Sequence, residues 1–376
     1  MKRTARFNGA RRVVIKIGSS VLRDGASFDR ATFAALVRGI SELRREGLEC
    51  VIVCSGAVAL GFPLLGLDKR PEKMARLQAS AAVGQGRLMR FWSDELGHYG
   101  DVVAQVLLTH DDLKHRRRYL AARHTLRAVL ELGAVPVINE NDTVAIDEIK
   151  LGDNDLLSSQ IVSLIEADFL LLLSDVDGLY DGEPSVAGSR RIPWVDGITE
   201  AMMDAAGGST TGLGSGGMRT KLQAVNQVGK LGVSAVIAKG KTPGVIESLF
   251  DGADQGTWFS AHSARLGRRQ HWIAYAGHAQ GKICVDQGAT VALTTQGRSL
   301  LPIGITKILG DFQVGDAVEI VAPDGSVFAR GLVNCDAAMA HQIAGQRSEE
   351  LVDYGLVRDV VIHRDDLVLL KSGEDP

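Results

Sequence analysis

Cysteine, aromatic side chains, net charge and long apolar runs are all in short supply in this chain of 376 residues. The four cysteines, Cys50, Cys54, Cys284 and Cys335, make no C-x-x-C pair and no metal-ligand spacing. Cys50 and Cys54 flank an apolar run and read as small buried hydrophobes, which suits a reducing cytoplasm. A formal net charge of -3 leaves no global basic field for nucleic acid or a membrane surface. An aromatic content of 5 % weakens the case for nucleic-acid binding further. No apolar run is long enough to span a bilayer, since Phe169 to Leu173 is only strand length. No charged-then-apolar leader opens the chain, so the expected location is cytoplasmic. No G-x-x-x-x-G-K-[ST] occurs, which excludes a P-loop enzyme.

The rest of the composition is that of an ordinary globular protein, with 45 % hydrophobic and 23 % charged residues and ample material for a large core. The 43 glycines exceed the usual share and hint at close backbone approaches to a ligand.

One stretch organises the first half. Val135-Pro136-Val137-Ile138 reads as a short buried strand and ends abruptly in Asn139-Glu140-Asn141-Asp142. A second polar cluster, Gly152-Asp153-Asn154-Asp155, opens a helix marked by Leu156, Leu157, Ile161, Leu164 and Ile165. Side chains just past the C-terminal end of a parallel strand face the crevice where open α/β sheets bind ligands. The plainer alternative is a polar loop with Asx-turns. Capping explains one acid at the helix start but not all three of Asp153, Asn154 and Asp155.

The same grammar recurs. Val13-Val14-Ile15-Lys16-Ile17 is an apolar strand interrupted by a lysine, which is costly to bury unless it meets an anion. Gly18, Ser19 and Ser20 then supply donors for an anion cradle. A lysine snorkelling from an edge strand is the alternative. Cys50 to Cys54 is a second buried strand and ends in Ser55-Gly56-Ala57, where Ser55 also fits a plain N-cap. Leu77 to Trp92 has helical spacing, with Gly84 and Gly86 as candidates for close helix packing. Lys114 to Arg118 is a basic run at a helix start and reads as a solvated face. Strands alternating with helices predict a mostly parallel sheet covered by helices on both faces.

A glycine-rich segment, Gly207 to Gly217, enters a helix at Met218-Arg219-Thr220-Lys221. Backbone N–H groups and the helix dipole there suit a polyphosphate, and Lys221 reaches the same anion. Gly212, Gly214 and Gly217 satisfy G-x-G-x-x-G, but no strand precedes them, which argues against a dinucleotide fold. A flexible linker is the plainer alternative. From Gly281 onward, short apolar runs (Ile283-Val285, Val291-Leu293, Ala317-Val321, Val360-His363) alternate with glycine turns and predict a small, mainly β module. The expected division is one domain over 1–255, a linker over 256–279 and the β module over 280–376.

These motifs resemble the amino acid kinase family with a C-terminal PUA domain. The resemblance rests on Val14 to Leu22, Cys54 to Val58, Val137 to Asp142, Gly152 to Asp155, Ser174 to Tyr180 and Gly214 to Lys221. The module from Gly281 to Asp366 is similar to a PUA domain through Val285 to Ala289 and His363 to Asp366. Ser174 stands where the family pattern has threonine, and the segment after Tyr180 is short.

The resemblance implies ATP-dependent phosphorylation of the γ-carboxylate of L-glutamate, the first step of proline synthesis. Lys16, Lys221 and Asp155 are then the catalytic residues, with Asp155 holding both ammonium groups. Ser55, Gly56, Asp142 and Asn154 bind glutamate. Lys16, Gly18, Ser174, Asp175 and the run Ser215, Gly216, Gly217, Met218, Arg219, Thr220 and Lys221 bind ATP. Mg²⁺ is expected on phosphate oxygens and water, with no protein ligand set. Proline as feedback inhibitor, a homodimer or homotetramer, and contact with the next enzyme of the pathway are further implications. The alternatives are a related kinase acting on N-acetylglutamate, aspartate or a nucleoside monophosphate, and an RNA-binding PUA protein.

Overall fold

The computed structural model describes residues 7, 10–25, 27–145, 154–182, 186, 188–206, 217–261, 279–346 and 360–370. Two compact units emerge, one of Met1–His110 with Ala121–Arg265 and one of Asp111–Leu120 with Leu266–Pro376.

The first unit is built on an eight-stranded sheet. The strands of this sheet and the main helices along the same stretch are β1 (Arg12–Ile17), α1 (Arg30–Arg45), β2 (Glu49–Cys54), α2 (Ala57–Gly61), α3 (Met74–Gly97), β3 (Val103–Leu108), α4 (Arg116–Glu131, whose residues to Leu120 fall in the second unit), β4 (Val135–Glu140), α5 (Asn154–Ile165), β5 (Phe169–Ser174), β6 (Trp194–Val195), α6 (Met218–Lys230), β7 (Ser234–Lys239), α7 (Val245–Phe250) and β8 (Thr257–Phe259). The strand order is β3-β4-β2-β1-β5-β7-β8-β6. All pairs are parallel except β8 with β7. The central strands are buried almost from end to end, as expected of a sheet covered on both faces.

The strand Thr257–Phe259 falls in the segment expected as a linker from 256. It belongs to this sheet, because Trp258 packs against Phe7 and Phe169, which in turn meet Phe250, in an aromatic cluster that periodicity over three residues does not reveal.

Of the two glycines singled out in α3, only Gly84 makes a close approach. A Cβ on Gly84 would stand 1.8 Å from the Ala57 carbonyl oxygen, and one on Gly61 would stand 1.8 Å from the Ser80 carbonyl oxygen. The backbones of α2 and α3 therefore touch, with a glycine on each side. Gly86 points away, with nothing within 4 Å of a Cβ.

The second unit carries a five-stranded sheet of β9 (Gly281–Val285), β10 (Ile305–Gly310), β11 (Ala317–Val321), β12 (Val327–Leu332) and β13 (Leu367–Leu369), ordered β10-β9-β11-β12-β13. Two expected strands differ. Val291–Leu293 lies inside a helix, α8 (Gln287–Thr295), because Asp286 caps it by accepting from the Ala289 N–H at 2.7 Å. A three-residue apolar run cannot distinguish strand from helix. Val360 to His363 makes only an isolated bridge, Leu300 with Ile362, before a 3-10 turn at Arg364–Asp366.

The two α3 glycines are expected to behave oppositely when replaced. Gly84→Ala forces a methyl into a backbone carbonyl and costs about 3 kcal/mol. Gly86→Ala relieves the entropic cost of glycine in an exposed helix and stabilises by about 0.5–1 kcal/mol. Urea unfolding of the two variants beside the wild type measures both; equal effects would contradict the crossing.

Candidate active site

Four adjacent parallel strands, β4, β2, β1 and β5, end side by side. Lys16 lies near the end of β1, Ser55 follows β2, Asn139 and Glu140 close β4, and Ser174 closes β5. The helices α5 and α6 bring Asn154, Asp155 and Lys221 to the same edge.

Asp155 is 1 % exposed and contacts two ammonium groups. Lys16 Nζ pairs with Oδ1, and Lys221 Nζ lies 3.1 Å from Oδ2. Both lysine side chains are 7 % exposed. Thr220 Oγ1 stands 3.0 Å from the same Oδ2 and 2.8 Å from the Gly217 carbonyl oxygen. Burial alone would raise the Asp155 pKa from its ordinary 3.8, but Lys16 and then Lys221 outweigh it and bring it to about 2. One carboxylate against two ammonium groups leaves this buried trio with a surplus positive charge. Such a surplus suits an incoming anion.

A chain of amides lies beside it. Asn154 Nδ2 donates to Ser55 Oγ at 2.6 Å and to Asn139 Oδ1 at 2.9 Å. Asn139 Nδ2 donates to Gln85 Oε1 on α3 at 2.9 Å. Asn139 and Gln85 are not among the residues that the sequence singles out as ligands. Asn139 is visible in its polar cluster, whereas nothing marks Gln85.

The remaining candidates divide. Gly56 sits at φ +123° between Ser55 and α2, a conformation that favours glycine. Gly18 differs from expectation, because its N–H is committed to the Leu173 carbonyl at 3.0 Å and is not a free donor. Its α-carbon lies close to the lysine, and a Cβ there would stand 3.9 Å from Lys16 Nζ, an ordinary van der Waals contact. Asp142 is half-buried in the turn after β4. Asn141 serves that turn, accepting from Thr143 Oγ1 at 2.5 Å. Ser174 Oγ donates to Asp175 Oδ1 at 2.9 Å, and Asp175 is exposed. Gly217 caps α6 with no side-chain bond, while Met218 and Arg219 lie on its first turn. Ser215, Gly216 and residues 146–153 lie outside the described residues. Among the described residues, no three His, Cys, Asp or Glu side chains gather to hold a metal ion. No helix among them is long and apolar enough to cross a membrane.

A mostly parallel sheet with a buried, net-positive trio at its strand ends defines an α/β phosphotransferase class of site. Residues 11–239 match the model of the amino acid kinase family and residues 281–355 match that of the PUA domain. The chain belongs to the amino acid kinase family. It is 44 % identical to the glutamate 5-kinase of Geobacter metallireducens over 98 % of this chain and all of that one. It is 45 % identical to the glutamate 5-kinase of Myxococcus xanthus, covering 98 % of each. Among solved structures, carbamate kinase from Giardia lamblia shares the fold with a TM-score of 0.51 at 14 % identity, over 67 % of this chain and 99 % of that one.

The trio carries a pH signature. The folded pKa of Asp155 lies below its ordinary value, so the stability it contributes is complete above about pH 4 and is lost as pH falls through about 2. At neutral pH, Asp155→Asn leaves two buried ammonium groups uncompensated and costs about 3–5 kcal/mol. Denaturant unfolding from pH 7 down to pH 2 should show the gap between wild type and variant closing only below about pH 4; a constant gap would mean the carboxylate is not held ionised.

Proposed function

We propose that this chain transfers the γ-phosphoryl group of ATP to the γ-carboxylate of L-glutamate, giving L-glutamyl 5-phosphate and committing glutamate to proline synthesis. The observation that carries the reading is the buried Lys16–Asp155–Lys221 trio, taken together with near full-length relatives that bear the name glutamate 5-kinase.

A carboxylate has an ordinary pKa near about 4.3 and is already an anion at neutral pH, so no general base is required. The obstacle is repulsion between the carboxylate and the γ-phosphate. Phosphoryl transfer is helped mainly by positioning and by charge stabilisation. Lys16 and Lys221 supply the positive charge, and Asp155 fixes both while offsetting only one of the two charges. Gly18 lies beside Lys16 in the turn after β1. Ser55, Gly56, Asp142 and Asn154 form the glutamate side, and Ser174, Asp175 and residues 215–221 form the ATP side. The donor set fits a magnesium ion carried by the nucleotide, because Asp155 is already engaged by two lysines; bound there, the ion would neutralise phosphate charge.

Residues 11–239 carry this chemistry, and the PUA module is assigned from 281. The same reading includes a cytoplasmic homo-oligomer, inhibition by proline, and delivery of a labile acyl phosphate to the next enzyme.

With ATP, Mg²⁺, glutamate and hydroxylamine, the γ-hydroxamate should form. A coupled ATPase assay with N-acetylglutamate, aspartate or UMP in place of glutamate should stay near background. Lys16→Ala should lower kcat by about 10²–10³-fold, as for loss of a preorganised charge contact. Asn154→Ala should raise the glutamate KM and leave kcat largely alone. A Lys16 variant altered only in KM would make Lys16 a binding residue instead.

Proline shares the α-carboxylate and a cationic nitrogen with glutamate but has no γ-carboxylate to phosphorylate. Its inhibition should therefore be relieved by saturating glutamate; inhibition that glutamate cannot relieve would place proline at another site.

A further inference from the structure

The amide chain has a direction, and the direction has a cause. Asn139 Oδ1 accepts from its neighbour's backbone, the Glu140 N–H, at 2.9 Å. A backbone N–H can only donate, so the oxygen of the Asn139 amide must face that way. The Asn139 nitrogen then faces α3, where it donates to Gln85 Oε1. On the other side, Asn154 must turn its own nitrogen toward Asn139 Oδ1 and Ser55 Oγ. What remains of Asn154 is Oδ1, which is buried and has no hydrogen-bond partner among the described residues. Asn154 is 7 % exposed and Gln85 is 8 % exposed, so water is a poor substitute at either end.

An unpaired buried acceptor beside Ser55 recognises a donor. On the glutamate reading of the site, the substrate's only cationic donor is its α-ammonium group. We propose that Gln85 is a positioning residue: by accepting from Asn139 it joins the Glu140 N–H in holding the polarity of the Gln85–Asn139–Asn154 chain, so that Asn154 presents an oxygen to the α-ammonium. Removing the acceptor at Gln85 leaves the Asn139 nitrogen buried and unpaired, so that only the bond from the Glu140 N–H opposes rotation of the Asn139 amide. Rotation would set two nitrogens face to face and turn Asn154 over, exchanging its acceptor for a donor. Gln85 follows Gly84, where the backbone of α3 touches α2. Its own Nε2 is buried and has no partner among the described residues, so only its acceptor takes part.

The test uses the full chain, with Gln85→Met, which keeps length and bulk but removes the acceptor, and Gln85→Glu, which keeps an acceptor. Glutamate KM and kcat are measured by hydroxamate formation. Glutarate, which has the reacting carboxylate but no ammonium, is measured as a competitive inhibitor. The expected result for Gln85→Met is a glutamate KM raised about 10- to 100-fold, the size of one hydrogen bond to a charged group. Glutarate inhibition should be unmoved, and Gln85→Glu should stay close to the wild type. Three results would overturn the proposal: an unchanged KM in Gln85→Met, equal damage from methionine and glutamate, or a parallel loss of glutamate and glutarate binding, which is what plain distortion of the site predicts. Gln85→Leu replaces the methionine variant should that one fail to fold by circular dichroism. A wild type that forms no hydroxamate would instead overturn the glutamate assignment itself.

Discussion

A carboxylate at 1 % exposure between two lysines is the constraint on which the first unit depends. Removing three charges from water is expensive, and it is tolerable only if their geometry holds. Asp155 cannot hold that geometry from one element. It sits in the first turn of α5, Lys16 comes from the central strand β1, and Lys221 comes from the first turn of α6. The pairing therefore ties a strand to two helices at the edge of the sheet where substrates enter. Either lysine alone would leave a neutral pair without attraction for a phosphate. Two lysines on one carboxylate keep the charge fixed and yet in excess, which is what a reaction between two anions requires.

The position of β1 makes this workable. It is flanked by β2 and β5, with Lys16 level with Val53 on one side and Leu172 on the other. A lysine in that register is surrounded by apolar strands, so its ammonium can go only outward to the strand ends. The amide chain from Gln85 to Ser55 occupies the neighbouring strand ends. Charge is thus gathered on one side of the crevice and neutral, oriented dipoles on the other.

Much of this is legible in the residues. The buried parallel strands announce themselves as short, β-branched runs bounded by glycine or polar residues, and Lys16 stands out because it interrupts one. Asp155 is legible only as an acid at a helix start; its link to both lysines comes from the family resemblance, since residues 16, 155 and 221 share no local pattern. Gly18 reads as a donor in the sequence, but hydrogen-bond accounting with Leu173 depends on strand register, which the sequence does not display. Gln85 carries no signal at all. On a helix of 24 residues its inward orientation depends on the rotation of α3 against α2. Val291–Leu293 reads as a strand and folds as a helix because a cap outside the run, Asp286, decides its structure.

The contact between α2 and α3 has one more consequence. Gly61 and Gly84 let the two helices touch backbone to backbone, while the chain between them, from Phe62 to Lys73, is largely exposed and carries Leu64 and Leu65 at 48 % and 46 % exposure. Gln85, next to Gly84, lies at the place where the two helices touch. A side chain on either glycine would drive its Cβ to 1.8 Å from the other helix's backbone oxygen, so neither can be replaced without a shift of both helices, whereas the connection lies largely in solvent. The protein thus separates an exposed segment from a crossing point that is held, a few residues apart in the same stretch of chain.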